Sequence, residues 1–422
     1  MTGHGGGNVA KKDSFLPKLI SRGSDQKPVG STKIWDPAAC ISPVVQALPP
    51  SGIRKFFDLV SQTEGVISLG IGEPDFVTPW HIREASVYYL EKGHTSYTSN
   101  WGMPELREEI ARYLYRRFNL DYAPENEILV TVGVSEAVDL AFRTVLNPGD
   151  EVLIPEPCFV SYRPCAILAG GVPVGVPTRA EDEFRLTADA LRAALTPRSK
   201  VLVLAFPSNP TGAVMRQEDL EPIAQVVNEH NLLVISDEIY AELTYEGQHV
   251  SIASLEGMFD RTLVMNGFSK AFAMTGWRLG YTAGPKPIIE AMCKIHQYAI
   301  MCAPTQAQRA GIEALRRGEP EMQKMIRSYD QRRRMMLRGF RSLGLNCFEP
   351  QGAFYMFPSI QQTGLTSEEF AERLLMEEKV AVVPGSAFGQ VGEGFIRCCY
   401  AAAPRDIEEA LERIRCFVSR LL

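Results

Sequence analysis

The sequence predicts an α/β fold built on a mostly parallel β-sheet with helices on both faces. From about residue 125 onwards, short runs that are almost entirely apolar alternate with amphipathic stretches of helical length. Runs without a polar side are typical of strands whose two faces are both covered by helices. We therefore expect one large domain with such a sheet, and a smaller α+β domain formed from the chain ends.

Length and composition are those of an ordinary globular protein. The chain has 422 residues, of which 45% are hydrophobic and 22% charged, so it can bury a large core without disulfides or metal. The net charge of −6 offers no general attraction to phosphate polymers. No apolar run approaches the roughly 18 residues that span a bilayer. We expect neither nucleic acid nor a membrane as a partner.

The cysteines and histidines show no disulfide or metal-binding pattern. The nine cysteines are scattered without a CxxC pair, and the six histidines form neither HxxxH nor HExxH. Reduced thiols are typical of cytoplasmic proteins, so we expect a cytoplasmic location. The pattern predicts no dedicated metal site.

Six apolar runs are the predicted strands of the large domain. They are Ile128–Val132, Val152–Ile154, Lys200–Phe206, Leu232–Ser236, Thr262–Asn266 and Leu279–Ala283. Between them, Ser135–Leu146 and Glu218–His230 carry apolar residues on one side and are predicted helices. Pro104 is placed to begin a further helix, Glu105–Phe118, because proline is favoured in the first turn.

Four segments divide the chain. Residues 1–35 are rich in Gly, Ser and Lys without apolar periodicity, and we expect a flexible leader there. Residues 36–75 contain Pro and Gly turns and are expected to pack on the small domain. The large domain is predicted to comprise residues 76–318, and the small domain residues 319–422.

The small domain has its own pattern of elements. Its predicted elements are a helix at Glu321–Leu343, strands at Phe354–Pro358, Val380–Val383 and Phe395–Tyr400, and a closing helix. Thr366 and Glu369 have the spacing of a capping box at the start of another helix. In the closing helix, Glu409 is placed to pair with Arg413 four residues later.

The first candidate binding residues follow the strand Ile128–Val132. Ligands of parallel sheets bind beyond the carboxyl ends of the strands. Here Gly133, Val134 and Ser135 lead directly into a helix, so free backbone N–H groups and a hydroxyl meet at a positive helix end. This arrangement favours binding of an anion such as phosphate. An ordinary tight turn without a ligand explains the same residues about equally well.

Two further strands end in polar side chains. Asn209 lies in the Pro-Ser-Asn-Pro-Thr-Gly turn after Lys200–Phe206, where an ordinary turn residue is the simpler interpretation. Asp237 and Tyr240 follow the strand Leu232–Ser236. A carboxylate at the end of a buried strand either caps a helix or meets a cation.

The most specific run contains Ser269, Lys270 and, eight residues after the lysine, Arg278. The surrounding Ala, Phe, Met, Gly and Trp residues are too apolar for a solvated face. A lysine that is desolvated beside another cation loses proton affinity, and its neutral amine becomes available for Schiff-base chemistry. A surface lysine whose stem is buried is the alternative.

In this order the motifs resemble those of the class I aminotransferases of the pyridoxal-phosphate fold type I family. The resemblance covers about residues 36–420 and includes Gly72-Glu-Pro-Asp-Phe76, Tyr97 and Phe395-Ile-Arg397. Within the family the chain looks most like bacterial aromatic and N-acetyl-diaminopimelate aminotransferases. The resemblance implies pyridoxal 5′-phosphate as cofactor, and ping-pong transfer of an amino group from an amino acid to a 2-oxo acid.

The resemblance also implies roles around the cofactor ring. Lys270 would bind the cofactor covalently and shuttle a proton, and Asp237 would keep the ring nitrogen protonated. Asn209 and Tyr240 would hold the ring 3-oxygen, and Tyr240 counts with Lys270 and Asp237 as catalytic. Phe159 would stack on the ring, although a core phenylalanine is equally expected.

The remaining implied roles concern the cofactor phosphate and the substrate. The implied phosphate ligands are the amides of Val134 and Ser135, the Ser135 hydroxyl, Ser269, Arg278 and, from a second subunit of a homodimer, Tyr97. Family members often carry a hydroxyl where this chain has Gly267, so we expect a phosphate site with one donor fewer. Arg397 would bind the substrate α-carboxylate in a fork, helped by Gly72 and Asn209.

Two other functions fit parts of the pattern. A carbon–sulfur β-lyase on the same fold would use similar motifs to release pyruvate and ammonia. A ligand-sensing regulator of this fold would carry a DNA-binding domain, for which residues 1–35 lack helical periodicity. We expect a transaminase, with the lyase as the alternative.

Overall fold

The computed structural model describes residues 35–50, 60 and 63–422. By its internal contacts the chain forms two units, Met1–Pro43 and Val44–Leu422, and each is described by itself. The predicted flexible leader lies outside the described residues except for Trp35, and so does part of the predicted 36–75 segment.

Among its described residues, which begin at Trp35, the first unit contains one short element. A 3-10 helix covers Pro37–Cys40, and the Asp36 carboxylate accepts a hydrogen bond from the Ala38 N–H at 3.0 Å. An acidic residue before a proline is a common helix start, because its side chain takes up an N–H that has no helical acceptor.

The helices and strands follow one another along the chain. The helices are α1 (Pro43–Ala47), α2 (Trp80–Glu91), α3 (Pro104–Phe118), α4 (Gly133–Val145), α5 (Tyr162–Leu168), α6 (Ala188–Ala194), α7 (Gln217–Glu229), α8 (Lys286–Ala299), α9 (Thr305–Arg317), α10 (Glu319–Ser342), α11 (Ser367–Glu378) and α12 (Pro404–Val418). The strands are β1 (Ile67–Ser68), β2 (Ile128–Thr131), β3 (Glu151–Glu156), β4 (Val172–Pro177), β5 (Ser199–Leu204), β6 (Leu233–Asp237), β7 (Thr262–Gly267), β8 (Gly280–Ala283), β9 (Tyr355–Met356), β10 (Val380–Ala381), β11 (Val383–Pro384) and β12 (Ile396–Cys399). Among the described residues, no helix is both long and apolar enough to cross a membrane.

The large sheet has the strand order β2-β8-β7-β6-β5-β3-β4. β8 runs antiparallel to both of its neighbours, and all other neighbouring pairs are parallel. Every strand except β8 therefore points the same way, and the carboxyl ends of these strands meet at one edge. The predicted, mostly parallel sheet is confirmed, and it brings the segments after β2, β5, β6 and β7 together.

Helices bury both faces of this sheet. In β6, Val234 and Ile235 are fully buried and point to opposite sides. Ile235 packs in one core cluster with Leu140 of α4 and Ile289 of α8, whereas Val234 packs in another with Ile223 of α7. The predicted strands therefore have no polar side because helices cover both faces of the sheet, as expected.

The strand β4 has no counterpart in the sequence-based prediction. Its sequence, Val-Pro-Val-Gly-Val-Pro, contains two prolines and a glycine, which normally argue against a strand. Within the described part of the chain, β4 pairs only with β3 and is an edge strand, where a proline need not donate to a neighbour. The edge position of β4 allows these prolines and the glycine in a strand. The local sequence pattern does not reveal that position.

The remaining strands form two small sheets. β11, β12 and β9 are antiparallel, and β1 pairs in parallel with β10. The prediction of one strand at Val380–Val383 is wrong in this respect, because β10 and β11 are separate strands in different sheets. Residues 380–383 are all apolar and buried, so their pattern does not show that β10 and β11 are separate. Only the strands with which they pair distinguish the two.

Two local predictions for the last hundred residues are confirmed. Thr366 accepts a hydrogen bond from the Glu369 N–H at 3.2 Å, and Glu369 accepts one from the Thr366 N–H at 3.0 Å. This capping box begins α11. In α12, Glu409 and Arg413 form the expected ion pair at 2.5 Å.

Replacing Thr366 by Ala should lower the free energy of unfolding by about 1 kcal/mol, because the N–H at the start of α11 loses its acceptor. Urea unfolding followed by circular dichroism measures this change. The control is Ser342→Ala at the exposed carboxyl end of α10, which should change stability by less than about 0.5 kcal/mol. Equal stability of Thr366→Ala and the unchanged protein would contradict the capping role.

Candidate active site

A cavity of about 350 Å³ opens at the edge of the large sheet where the parallel strands end. Its walls come from the segments that follow β2, β3, β5, β6 and β7, from the loop before β8, and from β9 and β12. All of the residues that the sequence indicated, except Tyr97, line it: Gly72, Val134, Ser135, Phe159, Asn209, Asp237, Tyr240, Ser269, Lys270, Arg278 and Arg397.

One end of the cavity presents groups that suit an anion. Gly133 begins α4 with a φ of 72°, and Val134 and Ser135 follow in the first helical turn, where N–H groups have no helical acceptor. A Cβ on Gly133 would stand 2.7 Å from Nη2 of Arg278, so the guanidinium lies directly against this turn. Ser269 adds a hydroxyl to the same cavity. We call residues 132–135 the anion turn.

Close packing behind the anion turn accounts for the glycine at position 267. Gly267 and Gly280 are paired between β7 and β8. A Cβ on Gly267 would lie 2.9 Å from the Gly280 Cα, and one on Gly280 would lie 2.7 Å from the backbone nitrogen of Val134. A hydroxyl-bearing residue at 267 would therefore require these strands to move apart.

Asp237 ends β6 inside the cavity and is 8% exposed. The Tyr162 hydroxyl donates to Oδ2 at 2.7 Å, and the Ile239 N–H donates to Oδ1 at 3.2 Å. Burial raises the pKa of the Asp237 carboxyl from 3.8 to about 6, although the Tyr162 hydrogen bond acts in the opposite direction. Both hydrogen-bond donors are neutral, so they leave the negative charge of the carboxylate uncompensated. A cation that enters the cavity would therefore lower the pKa of Asp237.

The Lys270 amine lies in the same cavity. Its Nζ donates to the Gly72 carbonyl at 2.7 Å and lies 5.6 Å and 5.5 Å from the ring centres of Tyr240 and Phe354. Burial lowers the pKa of Lys270 from 10.5 to about 8, and the positive charge of Arg397 acts in the same direction. About a tenth of an amine with this pKa is neutral at pH 7, far more than for an ordinary lysine, and the neutral form is nucleophilic.

Tyr240 pairs with a second tyrosine that lines the cavity. The hydroxyls of Tyr240 and Tyr355 are 2.7 Å apart, and either can be the donor. Burial raises the pKa of Tyr240 well above its usual value, so the phenol stays neutral. Gly72 packs against the Tyr355 ring so closely that a Cβ would collide with the hydroxyl. The tyrosine pair thus faces the segment whose carbonyl binds Lys270.

Arg397 brings a buried guanidinium from β12 and is only 3% exposed. Nη1 donates to Asn209 Oδ1 at 2.9 Å, and Nη2 donates to the Gly70 carbonyl at 2.6 Å. Its Nε is buried and has no hydrogen-bond partner in the described part of the chain. The two acceptors are neutral, so this cation is well suited to an anionic ligand.

Comparisons with known proteins identify the family. Residues 64–414 match the family model of the class I and II aminotransferases. An aspartate aminotransferase of Pyrococcus abyssi is 51% identical over 86% of this chain and 95% of that protein. Aromatic-amino-acid aminotransferase 2 of Thermococcus litoralis is 48% identical over 89% of this chain and 97% of its own. The crystal structure of an aromatic aminotransferase from Pyrococcus horikoshii gives a TM-score of 0.84 at 48% identity, over 88% of this chain and 100% of that one.

The chain belongs to the class I and II aminotransferases. It is a transaminase, which moves an amino group from an amino acid to a 2-oxo acid. The resemblance predicted from the motifs is confirmed, as is the α/β fold class. The β-lyase alternative receives no specific support from these aminotransferase relatives.

Tyr97 is the one residue of the predicted set that lies away from this aminotransferase cavity. It does not line the cavity, and it is 80% exposed. The expected role of Tyr97 requires a second subunit, so a single chain does not test it. Its contribution across a dimer interface stays a prediction.

Two tyrosines of the site were not identified from the sequence. Tyr162 begins α5 three residues after Phe159, and the two rings pack edge to face with centres 5.7 Å apart. The three-residue spacing from Phe159 was the signal that could have identified Tyr162, because residues three apart can share a helix face. Tyr355 is 115 residues from its partner Tyr240, and no local pattern connects them.

The lowered pKa of Lys270 can be measured by chemical labelling. With protein freed of bound small molecules, reductive methylation of Lys270 should reach half of its maximal rate near pH 8, because only the neutral amine reacts. Peptide mass spectrometry gives the rate at each pH. Arg397→Met should move this midpoint to higher pH, since it removes a nearby positive charge. A midpoint at the ordinary lysine value of 10.5 would contradict the burial effect.

Proposed function

We propose that this aminotransferase uses pyridoxal 5′-phosphate and works by a ping-pong mechanism. One arrangement carries the proposal: a partly neutral buried amine, a buried carboxylate and an anion turn line the same cavity. Lys270, Asp237 and, from the anion turn, Val134 and Ser135 supply these three groups. The substrates are amino acids and 2-oxo acids, as expected of the family.

The chemistry of the cavity fits this cofactor. Arg278, two hydroxyls and the free N–H groups of the anion turn match a phosphate dianion. Asp237 matches a protonated ring nitrogen, and Lys270 matches an aldehyde. When bound, the cofactor supplies an electron-poor ring that stabilises negative charge at the substrate Cα.

Lys270 would act first as a nucleophile and then as a base. With a pKa of about 8, its amine is available to bind the aldehyde near neutral pH. When it is not attached to the cofactor, the Lys270 Nζ would accept a proton from the substrate Cα. The Gly72 carbonyl, which accepts a hydrogen bond from Nζ at 2.7 Å, would hold the released amine in the cavity.

The other ring contacts are proposed to tune and orient the cofactor. Asp237 would keep the ring nitrogen protonated, because a buried carboxylate that has lost its water is stabilised by a cationic partner. Asn209 and Tyr240 would hydrogen-bond the 3-oxygen, and Phe159 would pack on one ring face. Asp237 is the last residue of β6, and the other three follow β3, β5 and β6 at the same sheet edge.

The phosphate is proposed to bind at the anion turn. The amides of Val134 and Ser135, the hydroxyls of Ser135 and Ser269, and the Arg278 guanidinium would be its ligands. In the chain itself Arg278 donates only to the Thr275 carbonyl, at 3.0 Å, among the hydrogen bonds of the described residues. Most of its donors therefore stay available for an anion.

Arg397 is proposed to bind the substrate α-carboxylate. Its unpartnered Nε and its Nη groups form a planar fork that matches a carboxylate. The Gly72 backbone N–H and the Asn209 amide would complete the site. Anchoring the carboxylate would turn the Cα–H bond towards Lys270, which favours proton removal over loss of carbon dioxide.

We further propose a homodimer in which Tyr97 completes the phosphate site of the partner subunit. The exposed position of Tyr97 outside its own cavity supports this assignment, because the side chain is free to contact another chain.

The domain organisation and location are also proposals. We propose domain boundaries at 36–75, 76–318 and 319–422, supported by the pairing of β1 with β10, which joins the first segment to the last. A cytoplasmic location is supported by the nine cysteines, none of which forms a disulfide.

Borohydride reduction tests the proposed cofactor attachment. Reduction of the purified protein should fix the cofactor to Lys270, and peptide mapping by mass spectrometry should find the added mass on that residue. Lys270→Ala should carry no such mass and should have no detectable transaminase activity. Label on a different lysine, or a protein that does not bind the cofactor, would refute the proposal.

Arg397→Lys should lower kcat/KM for every amino donor by roughly 100-fold, because lysine keeps the charge but loses the two-point hydrogen bond. Steady-state kinetics with several amino acids measures this effect. The control is Arg163→Lys, outside the cavity, which should behave like the unchanged enzyme. An unchanged kcat/KM for Arg397→Lys would rule out carboxylate binding by this residue.

Mixed dimers test the proposed role of Tyr97. Chains with Tyr97→Ala and chains with Lys270→Ala, refolded together, should form hybrids in which one site has both residues intact. The mixture should then recover about a quarter of the activity of the unchanged dimer, more than either variant alone. No recovery, with hybrid formation verified by tagged subunits, would show that Tyr97 does not act across the interface.

A further inference from the structure

A buried carboxylate–imidazole pair lies directly behind the anion turn. Glu136 is in the first turn of α4, and one of its carboxylate oxygens accepts a hydrogen bond from Nδ1 of His296 at 2.6 Å. The His296 side chain, on α8, is fully buried, and that of Glu136 is 12% exposed. Neither residue lines the cavity. Their position nevertheless connects them to the groups that face an anion.

The second carboxylate oxygen of Glu136 contacts the anion turn itself. It accepts a hydrogen bond from the backbone N–H of Val132 at 2.5 Å. Val132 precedes α4 at the N-cap position, where its side chain offers no acceptor. Glu136 therefore fastens the first residue of the turn to the helix that follows it.

The same carboxylate would compete with a bound anion if it were free to move. The N–H groups at a helix start attract negative charge, and an acidic residue in the first turn is their nearest source of it. His296 and Val132 engage both oxygens of Glu136, which keeps the carboxylate away from the N–H groups of Val134 and Ser135.

The hydrogen bond to Glu136 is the side-chain polar contact that His296 makes among the described residues. Its Nε2 is buried without a hydrogen-bond partner among the described residues. Burying an unpaired polar atom is unfavourable, so an apolar side chain would be the better choice for packing alone. The bond from Nδ1 to Glu136 is the polar contact that favours an imidazole at this place.

We propose that Glu136 and His296 are positioning residues that keep the anion turn open for the cofactor phosphate. This inference rests on the proposed phosphate site at residues 132–135. Glu136 holds the Val132 N–H, His296 holds Glu136, and the N–H groups of Val134 and Ser135 stay free for the ligand.

The test compares two ligands that differ only in the phosphate. Dissociation constants of pyridoxal 5′-phosphate and of pyridoxal are measured by absorbance titration of the full-length protein after removal of its cofactor. Their ratio is the phosphate preference. Glu136→Ala should lower this preference at least about tenfold, because the turn loses a bond to a buried carboxylate. Glu136→Gln keeps an acceptor for Val132 and a partner for His296, and should stay within about threefold of the unchanged protein.

The matched control removes an equivalent bond from a helix that does not reach the cavity. Glu369→Ala deletes the carboxylate that accepts the Thr366 N–H at the start of α11. It should reduce stability slightly and leave the phosphate preference unchanged. The same difference between variants should appear in the dissociation constant of inorganic phosphate, measured by its competition with pyridoxal 5′-phosphate.

His296 provides an independent variant should Glu136→Ala fail to fold. His296→Phe keeps a ring but removes the donor, and should lower the phosphate preference. His296→Asn, whose amide nitrogen can take the place of Nδ1, should restore part of it. In the double variant Glu136→Ala with His296→Phe, the two effects should not add, because both act through one carboxylate.

The outcomes separate this inference from the proposed function. If the unchanged protein binds pyridoxal 5′-phosphate no better than pyridoxal, the phosphate site itself is wrong. If it shows the preference and Glu136→Ala retains it, the positioning role is overturned. Equal weakening of both ligands by Glu136→Ala, or a loss in Glu136→Gln as large as in Glu136→Ala, would overturn it as well.

Discussion

The whole site depends on keeping the Lys270 amine away from water. Burial disfavours the charged form of an ionisable group, and this lowers the pKa of Lys270 from 10.5 to about 8. The same burial acts in the opposite sense on a carboxyl and raises the pKa of Asp237 from 3.8 to about 6. One desolvated cavity therefore prepares a nucleophilic amine and a carboxylate that gains from a cationic partner.

The doubly covered sheet provides both the burial and the arrangement of these groups. Because strands such as β6 are apolar on both faces, polar side chains that face a ligand are concentrated at the strand ends. Asp237 ends β6, and Lys270 follows β7, its neighbour in the sheet. The antiparallel strand β8 starts at the same edge, which explains how Arg278, just before it, reaches the anion turn.

Much of this organisation could be predicted because it is local. The capping box of Thr366 and Glu369 and the order of the large-sheet strands along the chain are properties of neighbouring residues. The exceptions required knowledge of distant partners. β4 is an edge strand despite its prolines, and Val380–Val383 divides between two sheets. Glu136 and His296 are 160 residues apart, and nothing in either neighbourhood indicates that they meet.

The sequence by itself determined the fold class, the strand ends that carry Asn209, Asp237 and Lys270, and, through its motifs, the family. Only the tertiary structure decided that Tyr162 holds Asp237 and that Tyr355 faces Tyr240. The physical reason is that apolar periodicity records which side of an element is buried but not which element covers it. Hydrogen bonds between buried side chains depend on that missing information, because they form only after the elements have packed.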